Sequence, residues 1–113
     1  YDVTHGAGLA VIFPAFLQYG AKHNPHKIAM LGHRVLGIPD SGDVSKDAMA
    51  AALAMKTWLH DKLHMPVTFA QLGIENPNLE LLNERLHKLK GEVLHGYMDL
   101  DAVATMEIYK LAL

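Results

Sequence analysis

Histidine is the residue type that could give this chain metal chemistry: there are eight histidines in 113 residues, and no cysteine. His60 and His64 are four residues apart, a spacing that places two imidazoles on one face of a helix and suits a shared metal ion. No third ligand is evident beside them, because Asp61 would point about a third of a turn away. A solvated helix end explains the pair more simply, since histidine also suits the dipole there.

His5 has a different setting, because it opens the most apolar segment of the chain and stands next to Gly6 and Gly8. The positive end of a helix dipole disfavours imidazolium, and neutral imidazole is the form that binds a metal. The position therefore suits a metal ligand, but it suits a capping or packing histidine equally well. One histidine does not make a site, so the residues alone leave both interpretations open.

No motif in the chain indicates an independent catalytic or cofactor-binding centre. Dinucleotide-binding glycines, a phosphate loop, a nucleophile elbow and the His-Glu-x-x-His zinc motif are all missing. Ser41 and Ser45 have no obvious histidine and carboxylate around them, and the carboxylates are predicted at solvated faces and caps. The remaining histidines are predicted in loops or on the surface, without a named partner: His23, His26, His33, His87 and His95.

The elements that must position these residues are all predicted to be helices, and no segment shows the alternation of a strand. Cap and stop signals place five helices at about residues 5–19, 25–36, 45–63, 77–90 and 101–113, with a short helical turn at 68–72. Ser45, Asn76 followed by Pro77, and Asp101 are the predicted start signals of the last three long ones. The predicted fold class is all-α, an antiparallel bundle of about five helices with short loops.

The composition limits the classes of protein to which this chain can belong. Half of the residues are hydrophobic, 19% are charged and the net charge is -2, which is typical of a globular domain and not of a nucleic-acid-binding one. The longest apolar run, residues 7–17, is too short to span a bilayer. The lack of cysteine excludes disulfides and thiol catalysis and fits a reducing compartment. We therefore expect a cytoplasmic protein with neither nucleic acid nor membrane as partner.

The opening of the chain suggests an expectation about its domains. It starts at Tyr1 without an initiator methionine and enters its most apolar segment almost at once, whereas natural termini are usually polar. We expect residues 1–113 to be a single helical domain, a C-terminal fragment of a longer chain.

The first 15 residues, YDVTHGAGLAVIFPA, closely resemble the iron-containing alcohol dehydrogenases, above all their NAD(P)H-dependent butanol dehydrogenase branch. In that family a His-Gly pair opens a long apolar helix with a proline near its middle, here His5-Gly6 and Pro14. Asn24-Pro25, Val35 to Ile38 and Ile108 to Ala112 also look like the family. The resemblance covers the whole chain and is weakest between about residues 46 and 98.

The resemblance implies an N-terminal dinucleotide-binding domain followed by a helical domain of the dehydroquinate synthase-like type. It also implies a divalent iron, sometimes zinc, bound by one aspartate and three histidines, of which His5 would be the last. The other ligands and the contacts to NAD(H) or NADP(H) would lie upstream of Tyr1. The implied reaction is metal-assisted hydride transfer between small primary alcohols and aldehydes, with His5 as a ligand only. The fragment alone would then be inactive, bind no cofactor and expose an apolar face that favours homo-oligomers.

Two other hypotheses remain open from the residues: a free-standing helical metal-binding module that uses His60 and His64, and a plain helical interaction module. A compact monomer without an exposed apolar patch would favour either of them over the dehydrogenase fragment.

Overall fold

The computed structural model describes residues 5–96 and 98–113, and the side chain of His5 lies outside this described part. Within it the chain forms five α-helices: α1 His5–His23, α2 His26–Arg34, α3 Val44–Asp61, α4 Leu79–Lys90 and α5 Ala102–Leu111. Extended pairing in this part is limited to one isolated antiparallel bridge between Leu94 and Leu100. The predicted all-α class and the number of helices are confirmed.

Helix α1 is the shared element of two hydrophobic cores, because it packs against α2 and α3 on one side and against α5 on the other. Burial of these small and branched side chains drives the association of the helices. The core between α1, α5 and the segment after α3 contains Val11, Ala15, Phe69, Leu100, Ala104, Ile108 and Ala112. The core between α1, α2 and α3 contains Leu17, Ala21, Ile28, Ala29, Ala48, Ala51 and Ala52.

Carboxylate and amide side chains begin three of the helices. At the start of α3, the side chain of Asp43 accepts a hydrogen bond from the backbone amide of Lys46. The side chains of Asn78 and Asp101 each accept a bond from a backbone amide at the starts of α4 and α5. Such bonds satisfy amides that have no partner inside a helix. The predicted cap Asp101 is therefore confirmed. The prediction that Ser45 caps α3 is wrong, because Asp43, two residues earlier, is the residue that caps this helix.

The apolar segment of α1 is not buried on all sides within the described chain. Val11 and Pro14 are fully buried, whereas Leu9 is 52% and Phe13 is 42% exposed. An apolar face that remains exposed usually marks a surface that another protein segment covers. None of the described helices is long and apolar enough to cross a membrane.

Candidate functional site

His5 is the first residue of α1, and its side chain lies outside the described residues. The first turns of α1 border an open groove of ≈ 310 Å³ that also borders the end of α3 and the residues after it. The residues that line it are Gly6, Leu9, Ala10, Phe13, Leu59, Leu63 and Met65. A Cβ atom added at Gly6 would lie 4.0 Å from the terminal methyl of Met65, so the side of the groove formed by Met65 lies close to the start of α1.

The groove is lined by apolar side chains and glycine. None of its described lining residues can donate a carboxylate or imidazole to a metal or move a proton. A metal bound by His5 would therefore need its other ligands from outside this groove, since one histidine cannot hold an ion. What the groove offers is an exposed apolar surface.

His60 and His64 do not share a helix face, so the predicted helical pairing is wrong. Helix α3 ends at Asp61, and His64 lies beyond it with a left-handed backbone, φ 54°. The Nδ1 atom of His60 lies 3.2 Å from the backbone carbonyl oxygen of Met65. Neither imidazole belongs to a group of three potential metal ligands in the described part of the chain.

A polar cluster lies instead where α2 meets α3. Asp47, in the first turn of α3, has only 3% of its surface exposed. One of its carboxylate oxygens lies 2.9 Å from Nε2 of His33 and accepts from the amide of Ser41 at 3.1 Å. The other oxygen accepts from the hydroxyl of Ser41 at 2.6 Å. The hydroxyl of Ser41 thus binds a carboxylate rather than an imidazole, and it is not arranged as an activated nucleophile.

These hydrogen bonds lower the pKa of Asp47. The bond from the Ser41 hydroxyl has the largest effect and the bond with His33 the next, while burial acts in the opposite direction. The exposed carboxylate of Asp40 joins the cluster, so that one ligand atom each from His33, Asp40 and Asp47 lies within 4.8 Å of the others. This is the only such three-residue group in residues 5–96 and 98–113.

The sequence did not reveal this cluster. His33 was predicted on the surface without a partner, and the carboxylates were predicted at solvated positions. The position of Asp47 directly before Ala48 in the apolar stripe of α3 was the available signal, because a charged residue beside a buried stripe needs partners.

Three other histidines also have partners that the sequence did not predict. His95 lies 2.9 Å from the carboxylate of Asp99, and both side chains are well exposed. The imidazole of His23 lies 3.8 Å from Glu107 and against the ring of Tyr19. The Nε2 atom of His87 lies 2.7 Å from the Thr105 hydroxyl. The contacts of His23 with Glu107 and of His87 with Thr105 join helices, the contact of His95 with Asp99 lies within one loop, and none of them assembles a catalytic constellation.

Residues 1–105 match the family model described as "Fe-containing alcohol dehydrogenase family, C-terminal". NADH-dependent butanol dehydrogenases A and B of Clostridium acetobutylicum are 28% and 26% identical to this chain over 111 residues. These 111 residues are 97% of this chain but only 28% of the length of each relative.

A third relative, the probable NADH-dependent butanol dehydrogenase 1 of Bacillus subtilis, is 22% identical over 85 residues. This alignment covers 75% of the chain and 22% of the relative. No solved structure matches the chain significantly. The match to the family model covers nearly all of the sequence, and the chain belongs to the iron-containing alcohol dehydrogenase family, as the resemblance of its first 15 residues predicted.

Proposed function

We propose that residues 1–113 form the helical C-terminal domain of a metal-dependent, NAD(P)H-linked alcohol dehydrogenase that interconverts primary alcohols and aldehydes in the cytoplasm. Membership of the family and the names of the relatives, NADH-dependent butanol dehydrogenases, support the reaction class. The chain spans about 28% of the length of two of those relatives. The nicotinamide-binding part of such an enzyme would therefore be supplied by a preceding N-terminal domain.

Within this proposal His5 is one ligand of a catalytic Fe²⁺ or Zn²⁺ ion. It is the first residue of α1, where the helix dipole disfavours a protonated imidazole and leaves the neutral form that binds metals. The other ligands would come from the preceding domain, because the described lining of the adjacent groove is apolar. When bound, the ion supplies Lewis-acid polarisation of the alcohol or aldehyde oxygen. His5 itself transfers no proton.

The apolar groove is the observation that carries a second part of the proposal, namely that this domain forms one wall of the active-site cleft. Leu9, Phe13 and Leu63 are large side chains that remain about half exposed beside the start of α1. Such a surface can form one wall of an active-site cleft, since it excludes water and accepts the alkyl part of a small alcohol. The 113-residue chain alone should be inactive because one histidine cannot hold the ion, and the exposed groove should favour homo-oligomers.

The test uses the full-length protein that carries this chain. We expect His5→Ala to lower the bound iron or zinc, measured by elemental analysis, together with the rate of butanal reduction by NADH. His26→Ala is the matched control, because His26 is exposed at the start of α2. A His5→Ala enzyme that retains both its metal and its activity would show that His5 is not a ligand.

A second experiment tests whether the cofactor site lies in a preceding domain. The 113-residue chain, mixed with NADH and butanal, is expected to show no turnover in the presence of Fe²⁺ or Zn²⁺. Turnover by the chain alone would contradict the assignment of the cofactor site to a preceding domain.

A further inference from the structure

The corner between α2 and α3 brings together three potential metal ligands from three different segments. His33 comes from the last turn of α2, Asp40 from the loop, and Asp47 from the first turn of α3. Their ligand atoms lie within 4.8 Å of one another. Nε2 of His33 and Oδ2 of Asp47 are already 2.9 Å apart, so a small widening would give the separation of roughly 3.4 Å between neighbouring ligands of a tetrahedral ion with bonds near 2.1 Å.

Both carboxylates are oriented by the loop itself. The amide and hydroxyl of Ser41 both donate to Asp47, and the amide of Gly42 donates to Oδ1 of Asp40 at 3.0 Å. Outer hydrogen bonds of this kind orient the ligands of metal sites and tune their affinity. The arrangement needs only a small movement of Asp40, whose side chain is exposed in a loop.

The charge of the cluster gives an independent reason for a cation. Asp47 is buried, and within the described chain neither lysine nor arginine forms an ion pair with it. His33 is the one partner of this carboxylate that can carry a positive charge. With Asp40 added, two carboxylates face a single imidazole, so the cluster keeps excess negative charge even when His33 is protonated. This net negative charge favours a bound cation.

We propose that His33, Asp40 and Asp47 bind one divalent transition-metal ion of the Zn²⁺ type, with the remaining coordination positions open to water. One imidazole with two carboxylates suits such ions better than Ca²⁺ or Mg²⁺, which prefer oxygen ligands alone. The ion would tie α2, the loop and α3 together. This site is separate from the one proposed for His5, because Leu59 at the groove lies 12 residues further along α3 (59 − 47), about 18 Å of helix.

The test is a calorimetric titration of the 113-residue chain with Zn²⁺ in a His5→Ala background, which removes the other proposed ligand. We expect one Zn²⁺ per chain and a higher urea midpoint of unfolding when Zn²⁺ is present. His33→Gln and Asp40→Asn should each lower the Zn²⁺ affinity by roughly tenfold or more. Both replacements keep hydrogen-bonding groups, and Asp40→Asn changes an exposed side chain, so folding should persist.

Matched controls are His26→Gln on the same helix and Asp61→Asn at the end of α3, both exposed positions outside the cluster. These variants should bind Zn²⁺ as the parent does. The proposal is overturned if Zn²⁺ does not bind, or if the affinity is unchanged in His33→Gln and Asp40→Asn, which would leave Asp47 as a hydrogen-bonded loop anchor. Equal affinity for Ca²⁺ would overturn the assigned class of ion.

Discussion

The imidazole of His87 in the last turn of α4 lies 2.7 Å from the hydroxyl of Thr105, a buried residue of α5. The same hydroxyl donates to the side-chain oxygen of Asn83, whose amide nitrogen donates to the carbonyl of Ala102 at 2.8 Å. Nδ1 of His87 lies 2.9 Å from the carbonyl oxygen of Gly91. Asn83 is the buried residue of α4, so a polar network attaches this helix to α5 in addition to apolar packing.

Replacing Thr105 by valine tests that network, because valine keeps the shape and removes the hydroxyl. The buried Asn83 and the half-buried His87 would each lose a partner, and an unsatisfied buried group costs about 1–3 kcal/mol. We expect the free energy of unfolding in urea to fall by this amount. Thr57→Val on the exposed face of α3 is the matched control and should change it by less than about 0.5 kcal/mol. Equal effects of the two replacements would contradict the role of the network.

Asp47 should make the stability of the chain depend on pH. Its pKa in the folded protein is lowered, chiefly by the Ser41 hydroxyl, so its stabilising contribution is present above the ordinary pKa of about 3.9. That contribution is lost as the pH falls through the lower folded value. Urea midpoints followed by the fluorescence of Trp58 in chelator-containing buffer should therefore decrease below about pH 4.

In Asp47→Asn this decrease should be smaller, and the midpoint at neutral pH should already be reduced, because the charged acceptor is absent. Asp61→Asn serves as the control at an exposed position. If Asp47→Asn retained the full acid dependence of the parent, the hydrogen-bonded carboxylate would not be its source.

Gly32 permits the close approach of α2 to α3. A Cβ atom at this position would lie 2.8 Å from Cβ of Ala51 and 3.2 Å from Cγ1 of Ile38. Gly32→Ala should therefore destabilise the chain by about 1–3 kcal/mol, since overpacking outweighs the better helix propensity of alanine. Thermal unfolding followed by circular dichroism measures the change. Gly96→Ala, where a Cβ meets nothing within 4 Å, should be close to neutral.

The exposed apolar groove should govern self-association of the 113-residue chain. Leu63→Gln removes an apolar group from the groove without opening a cavity in a core, so the sedimentation-derived fraction of dimer should fall while the stability changes little. Leu89→Gln is the control, because Leu89 is 81% exposed on α4 and lies outside the groove. A dimer fraction that responds to Leu89→Gln and not to Leu63→Gln would place the contact elsewhere.

The sequence by itself determined the helical class, the cap at Asp101, the glycine stop at Gly91 and the family. Each of these depends on signals contained in a few neighbouring residues. Gly91 directly follows α4 with a φ of 100°, because glycine reaches that region without a steric penalty. The helix predicted at 68–72 is not formed, and α2 ends at Arg34, before the predicted stop at Gly37. The His5-Gly6 segment with Pro14 was enough to predict the family, although the role of His5 as a ligand stays a proposal.

Only the tertiary structure decided which polar groups meet. His33 and Asp47 are 14 residues apart and lie on different helices, so their contact depends on how α2 packs against α3, and no local pattern encodes it. The end of α3 at Asp61 likewise separates His60 from His64, because the choice between one more helical turn and a left-handed residue depends on how the following segment packs. Periodicity reports which face of a helix is apolar, whereas the identity of the neighbour on that face is set by contacts between distant segments.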